Sequence, residues 1–183
     1  MTRPPAPVPA PVPGPDPSPA SGNRDPGARD RDPAGRPRNS RPRDGLGRPL
    51  PKGTAGEPRV PDDLVLAPAE SLALADQLLA EGRPFHAHEV LEASWKAAPP
   101  GERDFWQGLA QLAVGLTHAR RGNARGAVTL LRRGAAAIRP YAATDPHGVQ
   151  VTVIAGRAGK LADRIEHDGT AGVDAASLRL PLT

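Results

Sequence analysis

Hydrophobic residues recur at helical spacing over most of the chain after residue 60, and this pattern predicts five α helices. Proline and glycine mark the boundaries, because proline is accepted in the first turn of a helix and glycine commonly follows its last turn. Asp145 and Pro146 predict the start of the fifth helix, as a cap followed by a first-turn proline. Alternating residues in 149–153 leave a short strand as the alternative there. The predicted helices begin near residues 68, 84, 102, 123 and 145.

The third predicted helix has no charged side chain between Phe105 and Ala119, which is typical of a buried helix. Its polar side chains lie along one side, and two glycines lie next to them. Glycine inside a helix costs roughly 1 kcal/mol relative to alanine, so the pair predicts a close approach by a neighbouring helix. The polar residues are Gln107, Gln111 and His118, and the glycines are Gly108 and Gly115.

Composition divides the chain into three parts. Sixteen of the 24 prolines lie in residues 1–60, which contain no Ile, Phe, Trp or Tyr. Such a segment buries too little apolar surface to offset its ordering entropy, so we expect a disordered Pro/Gly/Arg-rich extension there. Residues 61–170 are long enough for one helical domain, and residues 171–183 are expected to form an extended tail.

The charge of the chain belongs to the extension. Residues 1–60 carry 11 Lys and Arg against 6 Asp and Glu, whereas residues 61–183 carry 13 against 14. The net charge is therefore +5 in the first part and −1 in the second. Weak, salt-sensitive contacts of the extension with nucleic acid are possible, but its alternating charges and missing aromatic residues do not favour specific binding.

Several classes of protein are disfavoured by what the sequence lacks. There is no cysteine, and therefore no disulfide framework and no thiol catalysis. The longest charge-free run of the domain is too short to cross a bilayer, and no apolar run follows the first residues. We expect a cytoplasmic protein without a membrane partner.

Residues 85–96, FHAHEVLEASWK, hold most of the candidate chemistry. On a helical wheel, His88 and Glu92 share a face with the large aromatic side chains, so we expect this face to be buried and the two side chains to touch. Glu89 lies at the edge of the face, and His86 is expected to point to solvent. A carboxylate on a buried face requires a partner.

We expect this face to meet the polar side of the third helix, which would form a polar crevice between helices 2 and 3. The crevice would contain His88, Glu89, Glu92, Trp95, Gln107, Gln111 and His118. Three interpretations remain open. The first is a structural hydrogen-bond network. The second is a binding or scaffold module for a small ligand or a protein. The third is a metal-dependent or acid–base, hydrolase-like enzyme centred on His88, Glu92 and His118, with Glu92 as base oriented by His88 or all three as ligands of a divalent metal.

The motifs also resemble a known family. The chain has Phe85, His88, Glu89, Leu91, Glu92 and Trp95 in the pattern F-x-x-H-E-x-L-E-x-x-W, followed by Q-G-L-x-Q-x-A from Gln107 and R-G-N-x-x-G-A from Arg121. This set resembles the bacterial family of small helical proteins catalogued as domain of unknown function 309. The resemblance covers about residues 80–140 and implies a small all-α bundle, with no reaction. A weaker likeness to a tetratricopeptide-type hairpin supports the packing of helices 3 and 4.

Overall fold

The computed structural model describes residues 41–57, 65–174, 177 and 179. The predicted all-α class is confirmed, since five α helices form a compact bundle and no strand occurs in these ranges. One isolated β-bridge joins Arg43 and Pro49. The helices are α1 (Pro68–Ala80), α2 (Pro84–Ala97), α3 (Arg103–Arg120), α4 (Ala124–Ile138) and α5 (Val151–Asp168).

Each helix packs mainly against the helices that precede and follow it in the chain, and α3 makes the largest contacts, with α2 on one side and α4 on the other. The charge-free run of α3 is buried as predicted, since Phe105, Leu109 and Leu116 have almost no exposed surface. The aromatic residues Phe105 and Trp106 are the largest buried side chains. The core is therefore centred on α3, which packs directly against α2 and α4.

The two glycines of α3 allow close contact with α4, as predicted. A Cβ atom placed on Gly108 would lie 3.0 Å from the carbonyl oxygen of Gly134, and one on Gly134 would lie 2.7 Å from the carbonyl oxygen of Gly108. Gly115 faces the side chain of Leu131 in the same way. The hairpin of α3 and α4 is thus held at backbone contact along two turns.

The predicted start of the fifth helix is wrong, and so is the alternative strand. Pro146 begins a short 3-10 turn, and α5 starts at Val151. The left-handed backbone of His147 and Gly148, with φ of 55° and 78°, interrupts the helical path. Asp145 still caps α5, because its Oδ1 accepts the Val151 N–H at 3.0 Å across the turn.

The structure covers part of the predicted extension. Residues 41–57 form a hydrogen-bonded loop that contacts α2 and the residue that follows α3, whereas residues 1–40 and 58–64 lie outside the described residues. The boundary at residue 60 and the disorder of the extension therefore stay predictions. Of the tail, Arg179 contacts α1 through Asp76 at 2.6 Å. No helix in the described ranges has the length and apolar character that spanning a bilayer requires.

Candidate functional site

The predicted contact between His88 and Glu92 is present on α2. His88 Nε2 lies 3.4 Å from Glu92 Oε2, and Lys96 Nζ lies 3.0 Å from Glu92 Oε1. The two partners in the first contact are only half-buried, with 24% and 33% of their side chains exposed. The three residues form a polar row along two turns of the helix, each at the i, i+4 spacing that lets side chains meet.

The buried face of α2 differs from the predicted one. Its centre consists of small and aliphatic residues, namely Ala87, Val90 and Leu91, whereas Phe85 and Trp95 are half-buried. His86 was expected in solvent, but it has only 2% of its surface exposed. Its ring packs edge-on against Phe85 at a centroid distance of 5.7 Å. His86 is therefore a residue of the domain interior, and Glu89 lies half-buried beside the face.

Burial lowers the pKa of His88, while Glu92 opposes this effect and Lys96 adds to it. The neutral imidazole is consequently favoured near neutral pH. Its Nδ1 atom is buried and has no hydrogen-bond partner among the described residues. Glu92 thus faces one nitrogen of the ring, and the other nitrogen points into the protein.

The polar side of α3 does not complete a cluster with this pair. Gln107 and Gln111 are half-buried, and neither forms a hydrogen bond with His88 or Glu92. His118 faces the start of α4, where its Nδ1 lies 2.8 Å from Asn123 Nδ2. Within the described ranges, no three His, Asp or Glu side chains are arranged to hold a metal ion. The predicted convergence of His118 with the pair is wrong, because the α3–α4 loop engages its imidazole.

A turn in residues 41–57 lies against the N-terminal end of α2. Asp44 begins the turn, since its carbonyl oxygen accepts from Gly47 N–H at 2.8 Å. Its side chain also accepts backbone N–H bonds from Leu46 and Arg48, at 3.0 and 2.7 Å, in the manner of an Asx turn. Glu57 N–H donates to the carbonyl of Arg43 at 2.9 Å, which closes the loop on itself.

Two residues of the helical domain hold this turn, and we call them the peptide seat: Phe85 of α2 and Arg121, which follows α3. The guanidinium of Arg121 donates through Nε, at 3.0 Å, and through Nη2 to the carbonyl of Leu46. Gly47 is buried against the Phe85 ring, and a Cβ atom at Gly47 would overlap the ring atoms. Arg43 lies over the same ring, 5.6 Å from its centroid.

The pKa of Arg121 depends on burial and on the charged residues around the seat. Burial lowers the pKa of Arg121, Asp44 raises it, and the nearby cations Arg48 and Arg43 lower it. The guanidinium nevertheless stays charged at neutral pH, as arginine does in proteins. Its two donors and the ring of Phe85 together recognise a backbone carbonyl and the adjoining glycine.

A second polar cluster, which the sequence did not indicate, lies at the start of α3. Glu102 Oε2 accepts from Trp106 Nε1 at 3.2 Å and contacts His147 Nε2 at 2.7 Å. The hydroxyl of Tyr141 donates to the carbonyl of Gly101 at 2.9 Å. Hydrogen bonding from His147 is the main cause of the lowered pKa of Glu102. These contacts tie the turn before α5 to α3 and have a structural role.

Comparison with known proteins places the seat inside a recognised domain. The family described as Domain of unknown function (DUF309) matches residues 72–130, from α1 into α4. The predicted resemblance to this family is confirmed over these residues. The chain is also similar to "Uncharacterized protein YpuF" of Bacillus subtilis (strain 168), with 50% identity over 48 residues. The aligned part is 26% of this chain and 28% of that relative. No solved structure gives a significant match. The DUF309 match includes both Phe85 and Arg121, whereas residues 41–57 lie before it.

Proposed function

We propose that this DUF309 protein is a binding module that holds a glycine-containing peptide turn in the seat formed by Phe85 and Arg121. In this chain the seat holds the chain's own residues 41–57. The observation that carries the proposal is the pair of contacts at Leu46 and Gly47, where a guanidinium binds the carbonyl and an aromatic ring covers the glycine. The protein partner would present an equivalent turn.

The chemistry of the seat supports recognition of a backbone rather than of a side chain. Gly47 has a φ of +74°, which disfavours residues with a Cβ atom, and the Phe85 ring occupies the place of that atom. Arg121 binds a main-chain carbonyl, so this contact depends on the backbone conformation of the peptide and not on the side chain of Leu46. The seat therefore selects for glycine at one position and tolerates variation before it.

The turn is suited to act as a ligand because it forms its own hydrogen bonds. Asp44 accepts three backbone N–H groups of the four residues that follow it. A ligand that is already folded loses less conformational entropy on binding than a flexible one. The proposed partner thus carries a preformed Asp-Gly-x-Gly turn.

The proposed seat adjoins the crevice residues at the N-terminal end of α2. The rings of Phe85 and His88 are 6.2 Å apart, and His88 in turn contacts Glu92. We propose that the His88–Glu92 row borders the bound peptide. The alternative of a metal-dependent or acid–base enzyme centred on His88, Glu92 and His118 gains no support, since His118 is bonded to Asn123.

The test uses the full-length chain and a labelled peptide of residues 41–57. In a Gly47→Val chain, the added side chain should displace the internal turn and leave the seat accessible. We expect the peptide to bind this variant at least tenfold more tightly than it binds the unmodified chain, measured by fluorescence anisotropy. Adding Phe85→Ala to the variant should abolish the binding.

Gly53→Val is the matched control. Gly53 also has a positive φ, of +87°, but nothing lies within 4 Å of a Cβ atom there. This variant carries the same chemical change and similar backbone strain without the overlap with Phe85. Equal peptide affinity for the Gly47→Val and Gly53→Val chains would refute the proposed seat, as would strong binding of a peptide that itself carries Gly47→Val.

A further inference from the structure

Helix α5 carries a row of three exposed basic residues, namely Arg157, Lys160 and Arg164. At 3.6 residues per turn they fall within about 60° of one another, on a stretch about 10 Å long. None of the three has an acidic partner among the described residues. Like charges at the i, i+3 and i, i+4 spacings repel each other and destabilise a helix. A bound anion would therefore reduce the repulsion among these three residues.

The acidic residues of α5 are engaged elsewhere. Asp163 and Glu166 both bind Arg132 of α4, at 2.9 and 2.7 Å, and Asp168 contacts His167 at 2.6 Å. The helix therefore separates its charges, with the acidic groups bound to α4 or to a neighbouring histidine. This separation leaves the basic row without local compensation.

The basic row lines a groove of about 290 Å³, and Leu161 and Ser177 are the other described residues that line it. The contact between Arg179 and Asp76 of α1 attaches the C-terminal segment to the domain. Among the residues that the structure describes, none that lines the groove carries a carboxylate. Its volume is near the lower end of the range for small-molecule sites, so it suits a small anion.

We propose that this groove binds a phosphate monoester, through Arg157, Lys160 and Arg164, with Ser177 available as a hydroxyl donor. A phosphate monoester carries a charge of about −1.5 to −2 at pH 7 and three strong acceptor oxygens. Two guanidinium forks and one ammonium group match that charge and those acceptors. A nucleic-acid backbone is disfavoured because the row is short.

The experiment titrates the full-length chain with inorganic phosphate, with phosphoserine and with sulfate, following the Arg Nε–H signals by NMR. We expect Arg157 and Arg164 to shift with phosphate and phosphoserine, and at least tenfold weaker binding of both in the double variant Arg157→Gln, Arg164→Gln. Arg133→Gln with Arg139→Gln is the control, because it removes the same charge from two exposed positions away from the groove, one in α4 and one directly after it. The control should change the affinity less than twofold.

The three probes distinguish a phosphate ester from inorganic phosphate and from sulfate. Tighter binding of phosphoserine than of inorganic phosphate supports an ester ligand, whereas binding of inorganic phosphate alone would overturn the ester. Equal affinity for sulfate would overturn the phosphate class. Equal losses in the two double variants, no shift with any probe, or affinity for a single-stranded DNA oligonucleotide that rises with its length would each overturn the proposed site.

Discussion

Replacing Gly134 with alanine tests the close packing of α3 on α4 directly. A Cβ atom at this position would lie 2.7 Å from the carbonyl oxygen of Gly108 and 2.9 Å from the Leu112 side chain. The nearest atom belongs to the backbone of a buried helix, so it cannot rotate away as a side chain would. The helices must therefore separate by several tenths of an ångström, or the backbone must bend.

The expected cost follows from two opposing effects. Overpacking a buried contact costs about 1–3 kcal/mol, and the rigid backbone partner favours the upper part of this range. Alanine in a helix interior regains about 1 kcal/mol relative to glycine. The variant Gly134→Ala should therefore lose about 1–2 kcal/mol of unfolding free energy. Urea denaturation followed by circular dichroism at 222 nm measures this loss.

Gly156→Ala provides the matched control on α5. Gly156 also lies inside a long helix, but a Cβ atom there would have no neighbour within 4 Å. Only the helix propensity changes, so this variant should gain about 0.5–1 kcal/mol. The two variants thus shift stability in opposite directions. If Gly134→Ala were as stable as Gly156→Ala, the backbone contact between α3 and α4 would be refuted.

Two further predictions concern ionisable groups. The pKa of Glu102 is lowered mainly by hydrogen bonding with His147, so the stabilisation from this contact is present above the unfolded pKa of about 4.5 and is lost as pH falls through the folded value. In acid-unfolding titrations followed by tryptophan fluorescence, Glu102→Gln should remove this stabilisation. We expect it to be below about 1 kcal/mol, because the pair is partly exposed. The control variant Asp104→Asn should leave it unchanged. Asn123 caps α4, because its side-chain oxygen accepts the Gly126 N–H. This orientation directs the NH₂ group of Asn123 at Nδ1 of His118. His118 is neutral, and its pKa is lowered chiefly by burial. Asn123→Asp should keep the cap and raise the pKa of His118 in an NMR titration, and an unchanged pKa would contradict this hydrogen-bond assignment.

The helices were predictable because each has a clear apolar period and a proline or glycine near its boundaries. The fifth start was missed for a local reason. Asp145 and Pro146 have the residue types of a cap and a first turn, and Asp145 does cap α5. His147, however, takes a left-handed conformation that side chains other than glycine rarely adopt, and no helical pattern signals it.

The buried face of α2 was predicted less well because the prediction gave most weight to the large aromatic side chains. Phe85 and Trp95 drew the predicted buried face toward themselves, although the neighbouring helices bury the smaller residues Ala87 and Val90 instead. Because the buried face is centred on these smaller residues, His86 lies inside the domain. The contact of His88 with Glu92 could be predicted despite this error, because it depends only on their i, i+4 spacing within one helix.

The peptide seat depends on a property that composition does not measure. Composition predicts that a segment rich in proline, glycine and arginine forms no hydrophobic core of its own. Docking requires much less, namely one turn that satisfies its own N–H groups and one glycine that fits against a ring. Asp44 and Gly47 supply both, and their partners Phe85 and Arg121 lie far away in the sequence. The Asp-Gly-x-Gly pattern of residues 44–47 is visible in the sequence, but its fit against Phe85 and Arg121 depends on long-range packing that no local pattern predicts.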